Sequence, residues 1–323
     1  GGEIVVPNNI CWTVIAPIMA TGNTPRFLDI DSHSQSISPR LLEKCDLPRN
    51  TIIIYPHMYG ICRNIEKIAE ICESKGWYLI EDCAQAIGAR TKNGPAGSFG
   101  SASIFSFGRG KIIDYKGGGA AAVNDRELAE EINKVLRRLP KPACIDKKDR
   151  LYGNLFKKFY SLRVSNGGMD LSPLFRSLIK VFNDLFVYHP PEVDIREIEK
   201  RLKNLDNNLR RRSAVADRFI KIFKNSPVEY IDHPVGSIYW RFNLLLPPPS
   251  RDDIMKEMHD RNLHASSWYP SIDCFYRKRP VIAEDLFPAS DWVTDRILNL
   301  WVNREADQEY ISKTSSIILE YCN

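Results

Sequence analysis

The stretch that decides the fold is residues 51–82, TIIIYPHMYGICRNIEKIAEICESKGWYLIED. It opens with the β-branched run 51–55, which predicts a buried strand. Residues 65–75 place their apolar side chains on one helical stripe, and Gly76 follows as a helix C-terminal cap. Residues 77–80 are again apolar and predict a second strand. A strand, a helix and a strand with no room for a hairpin predict a right-handed crossover between parallel strands.

The same alternation extends outward in both directions. Residues 4–6 and 25–30 predict strands before this unit, and residues 101–107 and 120–123 predict strands after it. Residues 126–139 then form an amphipathic helical pattern. Alternating strands and helices are typical of an open α/β sheet with helices packed on its faces.

The second half of the chain predicts a separate, smaller unit. Residues 140–191 carry lysine-rich and aromatic pieces without a clear period, which we interpret as an irregular or helical excursion of a large domain over residues 1–193. Residues 194–323 are predicted to form a linker helix and a small C-terminal α/β domain. Its expected helices and strand cover residues 194–223, 238–246, 251–261 and 307–321.

Composition excludes several classes of protein. The net charge of +5 is mild and dispersed, so a nucleic-acid partner is not expected. No apolar run approaches the ~18 residues of a membrane helix, and the first residues have no signal-peptide layout. The eight cysteines form no C-x-x-C pair, which predicts reduced thiols, no zinc site and a cytoplasmic protein.

Three polar clusters follow predicted strands. They are residues 81–86, residues 106–111 and the glycines 117–119. Open α/β sheets bind their ligands just beyond the carboxyl ends of the strands. Taken singly, the acid could be a helix cap, the lysine a solvated side chain and the glycines a tight turn.

Together, the clusters indicate a specific cofactor. A carboxylate and a lysine in one cleft, here Asp82 and Lys111, are what pyridoxal phosphate requires. The lysine forms the imine and the acid keeps the pyridine nitrogen protonated. Ala84 is small enough for a flat ring to lie against the backbone, and the hydroxyl of Ser106 can reach the phosphate.

The motifs as a set resemble the DegT/StrS aminotransferases. The resemblance covers nearly the whole chain except about residues 140–191, and continues in Leu202-x-x-Leu205-Asp206 and Ile297-Leu298-x-Leu300. The segments that carry it in the first half are Val6-Pro7, Pro25-x-Phe27-x-Asp29-x-Asp31, His57-Met58-Tyr59-Gly60, Glu81-Asp82-x-Ala84-Gln85-x-x-Gly88, Gly97-Ser98-Phe99-Gly100 and Ser106-Phe107-x-x-x-Lys111.

The resemblance implies an α/β fold of the fold-type-I pyridoxal-phosphate transferases, similar to aspartate aminotransferase, with a large mainly parallel sheet domain. It assigns Lys111 as the Schiff-base lysine and proton carrier, and Asp82 as the partner of the pyridinium. Gln85 matches the residue on the phenolic side of the cofactor. Ser106 matches a phosphate ligand, and Ala84 lies under the ring.

The resemblance also implies an activity. Members of the family move an amino group, commonly from glutamate, to a keto group of a nucleotide-linked sugar, as polysaccharide and antibiotic sugar pathways require. The cofactor cycles through pyridoxamine phosphate, and a homodimer completes each active site.

The chain departs from the family pattern in three places. The upstream glycine-bearing loop that binds the cofactor phosphate has no match, so the N-terminal part is expected to be truncated and cofactor binding weak. The aromatic residue that stacks on the cofactor falls near Cys11, which makes Trp12 the candidate. The Asn-Tyr-Arg segment that reaches the partner's phosphate has only Asn154 and Asn166 as counterparts by order.

Two alternative functions remain open at this point. A sugar dehydratase of the same family needs a histidine where this chain has Lys111. A catalytically silent or regulatory relative would keep the fold without the reaction. Two further features have a purely structural interpretation, since His57 is expected as a polar residue at a strand end and residues 210–212 as a solvated helix face.

Overall fold

The computed structural model describes residues 1–115, 117–140, 194–248, 250–273 and 286–322, with the single positions 154, 173 and 177. Its largest sheet has six strands in the order β2-β1-β5-β6-β7-β8. All neighbours pair in parallel except β7 and β8, so the predicted α/β fold with a large, mainly parallel sheet is confirmed. The strands are β1 (Glu3–Pro7), β2 (Thr24–Leu28), β5 (Ile52–Pro56), β6 (Tyr78–Asp82), β7 (Ala102–Ser106) and β8 (Gly119–Val123).

Helices and one small hairpin accompany this sheet. The predicted helix 65–75 is confirmed residue for residue as α3, and Gly76 ends it in the left-handed conformation. The sequence pattern missed α1, because this helix is apolar on most sides and contains Pro17. The elements are α1 (Trp12–Ala20), β3 (Ile30–Asp31), β4 (Ser36–Ile37), α2 (Pro39–Glu43), a 3₁₀ turn (Met58–Gly60), α3 (Ile65–Lys75) and α4 (Arg126–Arg138).

A second, antiparallel sheet lies in the C-terminal half. Its order is β11-β12-β10-β9. The elements are α5 (Ile195–Lys203), α6 (Leu205–Phe223), β9 (Glu229–Tyr230), β10 (Phe242–Leu245), α7 (Ser250–Asp260), β11 (Ala265–Ser266), α8 (Pro288–Arg296), β12 (Ile297–Leu300) and α9 (Gln308–Cys322). The predicted excursion 140–191 falls outside the described residues except for position 140 and the single positions 154, 173 and 177, and the domain boundary at 193 stays a prediction.

Two predictions for this half need correction. The helical pattern 194–223 is two helices, because Asn204 leaves helical geometry between α5 and α6. The strand predicted over 238–246 is shorter, since residues 238–240 bond to the first half of the chain. The amides of Ile238 and Trp240 donate to the carbonyls of Gly60 and Tyr59, each at 3.0 Å.

The prediction of a solvated helix face over residues 210–212 is wrong for Arg212, because its guanidinium is buried. Arg212 is 3% exposed. It donates to the side-chain oxygen of Asn208 and to the carbonyls of Tyr239 and Trp240. Burial, with Arg241 and Arg211 nearby, lowers the pKa of Arg212 to about 9. This side chain therefore anchors helix α6 to the segment that enters β10.

The largest hydrophobic core is shared between the two halves. It joins Ile53, Ile68 and Leu79 around the large sheet to residues from the C-terminal half, among them Trp240, Tyr269, Val293 and Ile297. Gly60 is required at this junction. It has φ +90°, and a Cβ there would lie 2.4 Å from the carbonyl oxygen of Ile238. The two halves can approach this closely only with glycine at that position.

Asp29 joins the halves at a second point. This buried carboxylate accepts the backbone N–H groups of Ala289 and Ser290, at 2.9 and 2.8 Å, and the Ser290 hydroxyl at 2.7 Å. These donors belong to the first turn of α8, whose N–H groups have no partner within the helix. The aspartate of the Phe27-x-Asp29 motif therefore caps a helix some 260 residues further along the chain.

We predict that Asp29→Ala lowers the free energy of unfolding by about 2–4 kcal/mol, because the α8 donors lose their acceptor inside the protein. Urea denaturation followed by circular dichroism measures the loss. Asp46→Ala, at an exposed position, is the matched control and should change little. A loss below about 0.5 kcal/mol, the size of an ordinary surface substitution, would contradict the capping role.

Candidate functional site

Four of the six predicted site residues line one cavity. Asp82, Ala84, Ser106 and Lys111 share a space of about 490 Å³. Adjacent strands bring them together, because β6 ends at Asp82 and β7 ends at Ser106. The loop after β7 then carries Lys111 back to the same edge of the sheet. The cavity therefore lies at the carboxyl ends of parallel strands, where the sequence predicts the site.

The other walls of this cavity are largely apolar. Ile4, Ile54 and Ile104 contribute from three strands, and Val14 and Ile18 from α1. A volume of this size lies within the range of small-molecule sites, which combine apolar walls with a few placed polar groups. The arrangement suits a flat ring that carries charged substituents at its edge.

Asp82 has one oxygen engaged and one available. Its Oδ1 accepts the Ala84 backbone N–H at 2.9 Å. Its Oδ2 has no hydrogen-bond partner within the described part of the chain, and the side chain is half-buried on the cavity wall. The turn thus fixes the orientation of the carboxylate while leaving one oxygen to face a ligand. The capping role and a binding role are compatible in this geometry.

Lys111 is held next to an aromatic ring. Its Nζ lies 5.5 Å from the centre of the Trp240 ring, a cation–π distance. It forms no ion pair with any carboxylate of the described ranges. Ser106 lies nearby, and its Oγ accepts the Gly108 backbone N–H at 3.3 Å. The amine and the hydroxyl therefore both lie on the cavity wall without a charged partner.

Gln85 lies next to this cavity but bonds within the protein. Its Oε1 accepts the Tyr59 backbone N–H at 2.8 Å, and its Nε2 donates to the Tyr269 hydroxyl at 3.2 Å. Burial raises the pKa of Tyr269 well above its ordinary value, so the phenol stays protonated at neutral pH. Gln85 thus connects the turn after β6 to the C-terminal half.

The structure places Trp12 elsewhere. The indole is 4% exposed and packs in a core cluster with Ile10, Ile15 and Ile272. It is not among the residues that line the 490 Å³ cavity. The part of α1 that does reach the cavity begins one residue later, at Thr13.

Glu81, the residue before Asp82 in β6, forms a buried pair with His57. The Oε2 of Glu81 lies 2.9 Å from His57 Nε2, and both side chains are fully buried. Glu81 also accepts backbone N–H groups from Gly97, Phe99 and Gly100 at 2.6–2.8 Å. The acid therefore ties the Gly97-Ser98-Phe99-Gly100 motif to the end of β6. In the sequence, Glu81 is a second acid directly before Asp82, but the sequence analysis assigned it no role.

These contacts lower the pKa of Glu81. Burial acts to raise the pKa of Glu81, but the hydrogen bond and charge of His57 and the backbone N–H groups outweigh it and lower that pKa. The thiol of Cys83 lies in the same cluster, with donor atoms of the three side chains within 4.8 Å of one another. Burial raises the pKa of this thiol, which keeps it protonated.

The model of the DegT/DnrJ/EryC1/StrS aminotransferase family matches residues 1–160 and 198–318. The chain belongs to this family. The match covers both the strand ends that form the cavity and the C-terminal sheet.

Individual DegT/DnrJ/EryC1/StrS relatives are distant. A dTDP-3-amino-3,4,6-trideoxy-alpha-D-glucose transaminase of Micromonospora megalomicea subsp. nigra is 28% identical over 263 residues, which are 80% of this chain and 61% of that protein. This chain thus spans less than two thirds of that relative.

Within the described ranges, no helix is both long and apolar enough to cross a membrane.

Two solved structures of similar fold are named for different reactions. The aminotransferase TlmJ from Streptoalloteichus hindustanus superposes with a TM-score of 0.75 and 19% identity, covering 99% of this chain and 79% of that one. The GDP-4-keto-6-deoxy-D-mannose-3-dehydratase of E coli gives 0.69 and 18% identity, covering 98% and 79%. The fold is therefore shared by proteins named for two reactions, and only the site residues can separate them.

We predict that the stability gap between the wild type and Glu81→Gln stays constant from neutral pH down to about 4.5 and narrows as the pH falls below that value. The folded pKa of Glu81 is lowered, so its charged form stabilises the protein above the ordinary pKa of 4.5 and this contribution is lost as the pH falls further. Urea midpoints at several pH values test this. A gap that stays constant or widens below pH 4.5 would contradict it.

Proposed function

We propose that this chain forms the catalytic part of a pyridoxal-phosphate-dependent aminotransferase that moves an amino group, from glutamate, to a keto group of a nucleotide-linked sugar. The observation that carries the proposal is the cavity shared by Lys111, Asp82, Ser106 and Ala84. An amine, a carboxylate, a hydroxyl and a small residue are the groups that this cofactor needs from a protein.

The residues fit the cofactor group by group. Lys111 Nζ has no carboxylate partner in the described ranges and would form the covalent link. Asp82 has a carboxylate oxygen without a hydrogen bond in those ranges and would bond the ring nitrogen. The Ser106 hydroxyl would bind the phosphate, and Ala84 leaves room for the ring. Gln85 would face the phenolic oxygen, although its amide already bonds to Tyr59 and Tyr269.

The bound cofactor would supply an electron sink for the carbon that loses its proton. The protein's share of the chemistry belongs to two side chains. The carboxylate of Asp82 would keep the ring nitrogen protonated, since a negative charge favours the positive form of its partner. Lys111 Nζ would move a proton to and from the substrate carbon.

The choice of a sugar substrate rests on the relatives. The Micromonospora protein is named a transaminase of a dTDP-linked amino sugar. A dehydratase is the alternative with the same fold, and it needs a histidine where this chain has Lys111. The lysine therefore favours transamination. A catalytically silent relative is disfavoured, because the cavity has the amine, the carboxylate, the hydroxyl and the small residue that the cofactor needs.

Two further features of the proposal concern assembly and location. We infer a homodimer in the cytoplasm, with pyridoxamine phosphate as the second form of the cofactor. The family pattern places part of each phosphate site on a neighbouring subunit. The thiols of the six described cysteines are free, as in a reducing compartment.

We predict that the protein mixed with pyridoxal phosphate shows the absorbance band of a lysine-bound cofactor, and that Lys111→Ala abolishes it. The reason is that Lys111 Nζ is the amine that lies in the cavity with Asp82. Lys92→Ala, at an exposed lysine, is the control and should keep the band. A band that survives in Lys111→Ala would overturn the assignment.

We expect Asp82→Asn to bind the cofactor but to reduce turnover roughly 100-fold or more, because the charge that stabilises the protonated ring is lost. The substitution keeps the shape and can keep the Ala84 hydrogen bond. Single-turnover kinetics with glutamate measure the effect, beside a titration of cofactor binding. Turnover near the wild-type rate would show that Asp82 only caps the turn.

A further inference from the structure

Glu81 and Asp82 are neighbours in β6, but their side chains lie on opposite faces of the large sheet. Consecutive residues of a strand point to opposite faces. The Asp82 side chain lines the 490 Å³ cavity, whereas the Glu81 side chain is fully buried and is not among the residues of the cavity wall. A second carboxylate therefore lies behind the proposed cofactor site, one residue away from the first.

Each oxygen of the Glu81 carboxylate has two hydrogen-bond donors. Its Oε1 accepts the backbone N–H groups of Phe99 and Gly100, at 2.6 and 2.8 Å. Its Oε2 accepts the Gly97 N–H at 2.8 Å and lies 2.9 Å from His57 Nε2. An ionised carboxylate can only accept, so this ring nitrogen carries the proton. Four donors thus converge on one buried acid.

These bonds connect three segments that border the cavity. Residues 97–100 lead into β7, which ends at Ser106. His57 directly follows β5. Glu81 itself precedes Asp82 in β6. The carboxylate of Glu81 therefore fixes the end of β6 relative to the ends of both neighbouring strands.

His57 holds the backbone at this point through two groups. Its ring bonds to Glu81, and its backbone N–H donates to the Asp82 carbonyl at 3.0 Å. The ring is fully buried and meets the Tyr55 ring edge to face, with 5.5 Å between the ring centres. Its Nδ1 has no hydrogen-bond partner among the described residues. The bond to Glu81 is therefore what fixes the polar edge of this ring.

The direction of the Asp82 carboxylate depends on this backbone. On the far side of Asp82, the Cys83 N–H donates to the Ile104 carbonyl at 2.8 Å, and the Ala84 N–H donates to Asp82 Oδ1 at 2.9 Å. The main chain is thus held both before and after the residue. Precise placement matters for a group that acts on a reacting ligand, because a displacement of about 1 Å can cost roughly 100-fold in rate.

We propose that Glu81 and His57 are positioning residues, which hold the Asp82 carboxylate where it bonds the ring nitrogen of the cofactor. This inference rests on the proposed function for the role of Asp82. Neither Glu81 nor His57 lines the cavity, so both act through Asp82. Their effect on the chemistry should therefore disappear when the charge of Asp82 is removed.

Two variants disturb the buried pair, and a third serves as the matched control. Glu81→Gln keeps the size of the side chain but has one acceptor oxygen, so two of the four donors would face an NH₂ group. His57→Phe keeps a ring but removes the Nε2 donor. Asp29→Asn is the control, because Asp29 is another buried carboxylate that accepts backbone N–H groups and it does not line the cavity.

The first measurement is the pH titration of the absorbance band of the lysine-bound cofactor. A positive ring nitrogen lowers the pKa of the nitrogen that Lys111 contributes to the link, because like charges repel. We expect Glu81→Gln and His57→Phe to raise the midpoint of this titration by about 0.5–1 pH unit, in the same direction as Asp82→Asn. Asp29→Asn should lower the melting temperature and leave the midpoint unchanged, as a purely structural change would.

The second measurement is the single-turnover rate with glutamate at saturating cofactor. We expect Glu81→Gln to lower this rate about 10-fold, because Asp82 is displaced but still present. The double variant Glu81→Gln/Asp82→Asn should match Asp82→Asn within about twofold, since the charge that Glu81 positions is already gone. His57→Phe should behave in the same way, alone and combined with Asp82→Asn.

Two results would overturn the inference. One is a midpoint and a rate within about twofold of the wild type in both Glu81→Gln and His57→Phe. The other is a rate loss that multiplies with the loss of Asp82→Asn, because residues that act independently give additive free energies. Thermal melting identifies a variant that fails to fold, and the remaining one then decides.

The wild type separates this inference from the proposed function. A wild-type protein without the absorbance band, or an Asp82→Asn variant with unchanged turnover, refutes the proposed function. A normal wild type and an impaired Asp82→Asn, together with unimpaired Glu81→Gln and His57→Phe, refute only the positioning role.

Discussion

The hydrogen bonds and stacking of Tyr59 hold the two halves of this protein together, and the cleft depends on them. The residue is fully buried after β5, with φ 58°. Its N–H donates to Gln85 and its carbonyl accepts the Trp240 N–H. Its hydroxyl donates to the Trp268 carbonyl and accepts the Tyr269 N–H. Its ring stacks on Trp240 and Tyr269. The carbonyl and the hydroxyl of Tyr59 therefore join the first half of the chain to the C-terminal half, while its N–H bonds within the first half.

The consequence for the site is the position of Trp240. Held by Tyr59 and by the Gly110 carbonyl, this indole lies beside Lys111 and within cation–π distance of Arg241. An indole at this distance stabilises the charged form of the lysine by cation–π attraction. The same junction thus positions the lysine of the proposed covalent link to the cofactor.

The sequence predicted the parts of this architecture that depend on local pattern. Helix α3 and the strands of the large sheet follow from the spacing of apolar residues and from the positions of glycines. Because α/β sheets bind ligands beyond the carboxyl ends of their strands, Asp82, Ser106 and Lys111 were expected in one cleft. Contacts between distant segments could not be read in this way. Asp29, Glu81 and Tyr59 stood in recognised motifs, but their partners lie on other segments of the chain. Arg241 and Arg212 were hidden for the same reason, because nothing local marks an arginine as buried.

In the proposed function, Lys111 is the amine that would hold the cofactor. Borohydride reduction of the protein mixed with pyridoxal phosphate, followed by peptide mapping, tests it most directly, because reduction makes the link to the lysine permanent. The geometry predicts a single modified peptide that contains Lys111, since this amine lies on the cavity wall with Asp82 and Ser106. A modification at another lysine, or none in cofactor-saturated protein, would contradict the account.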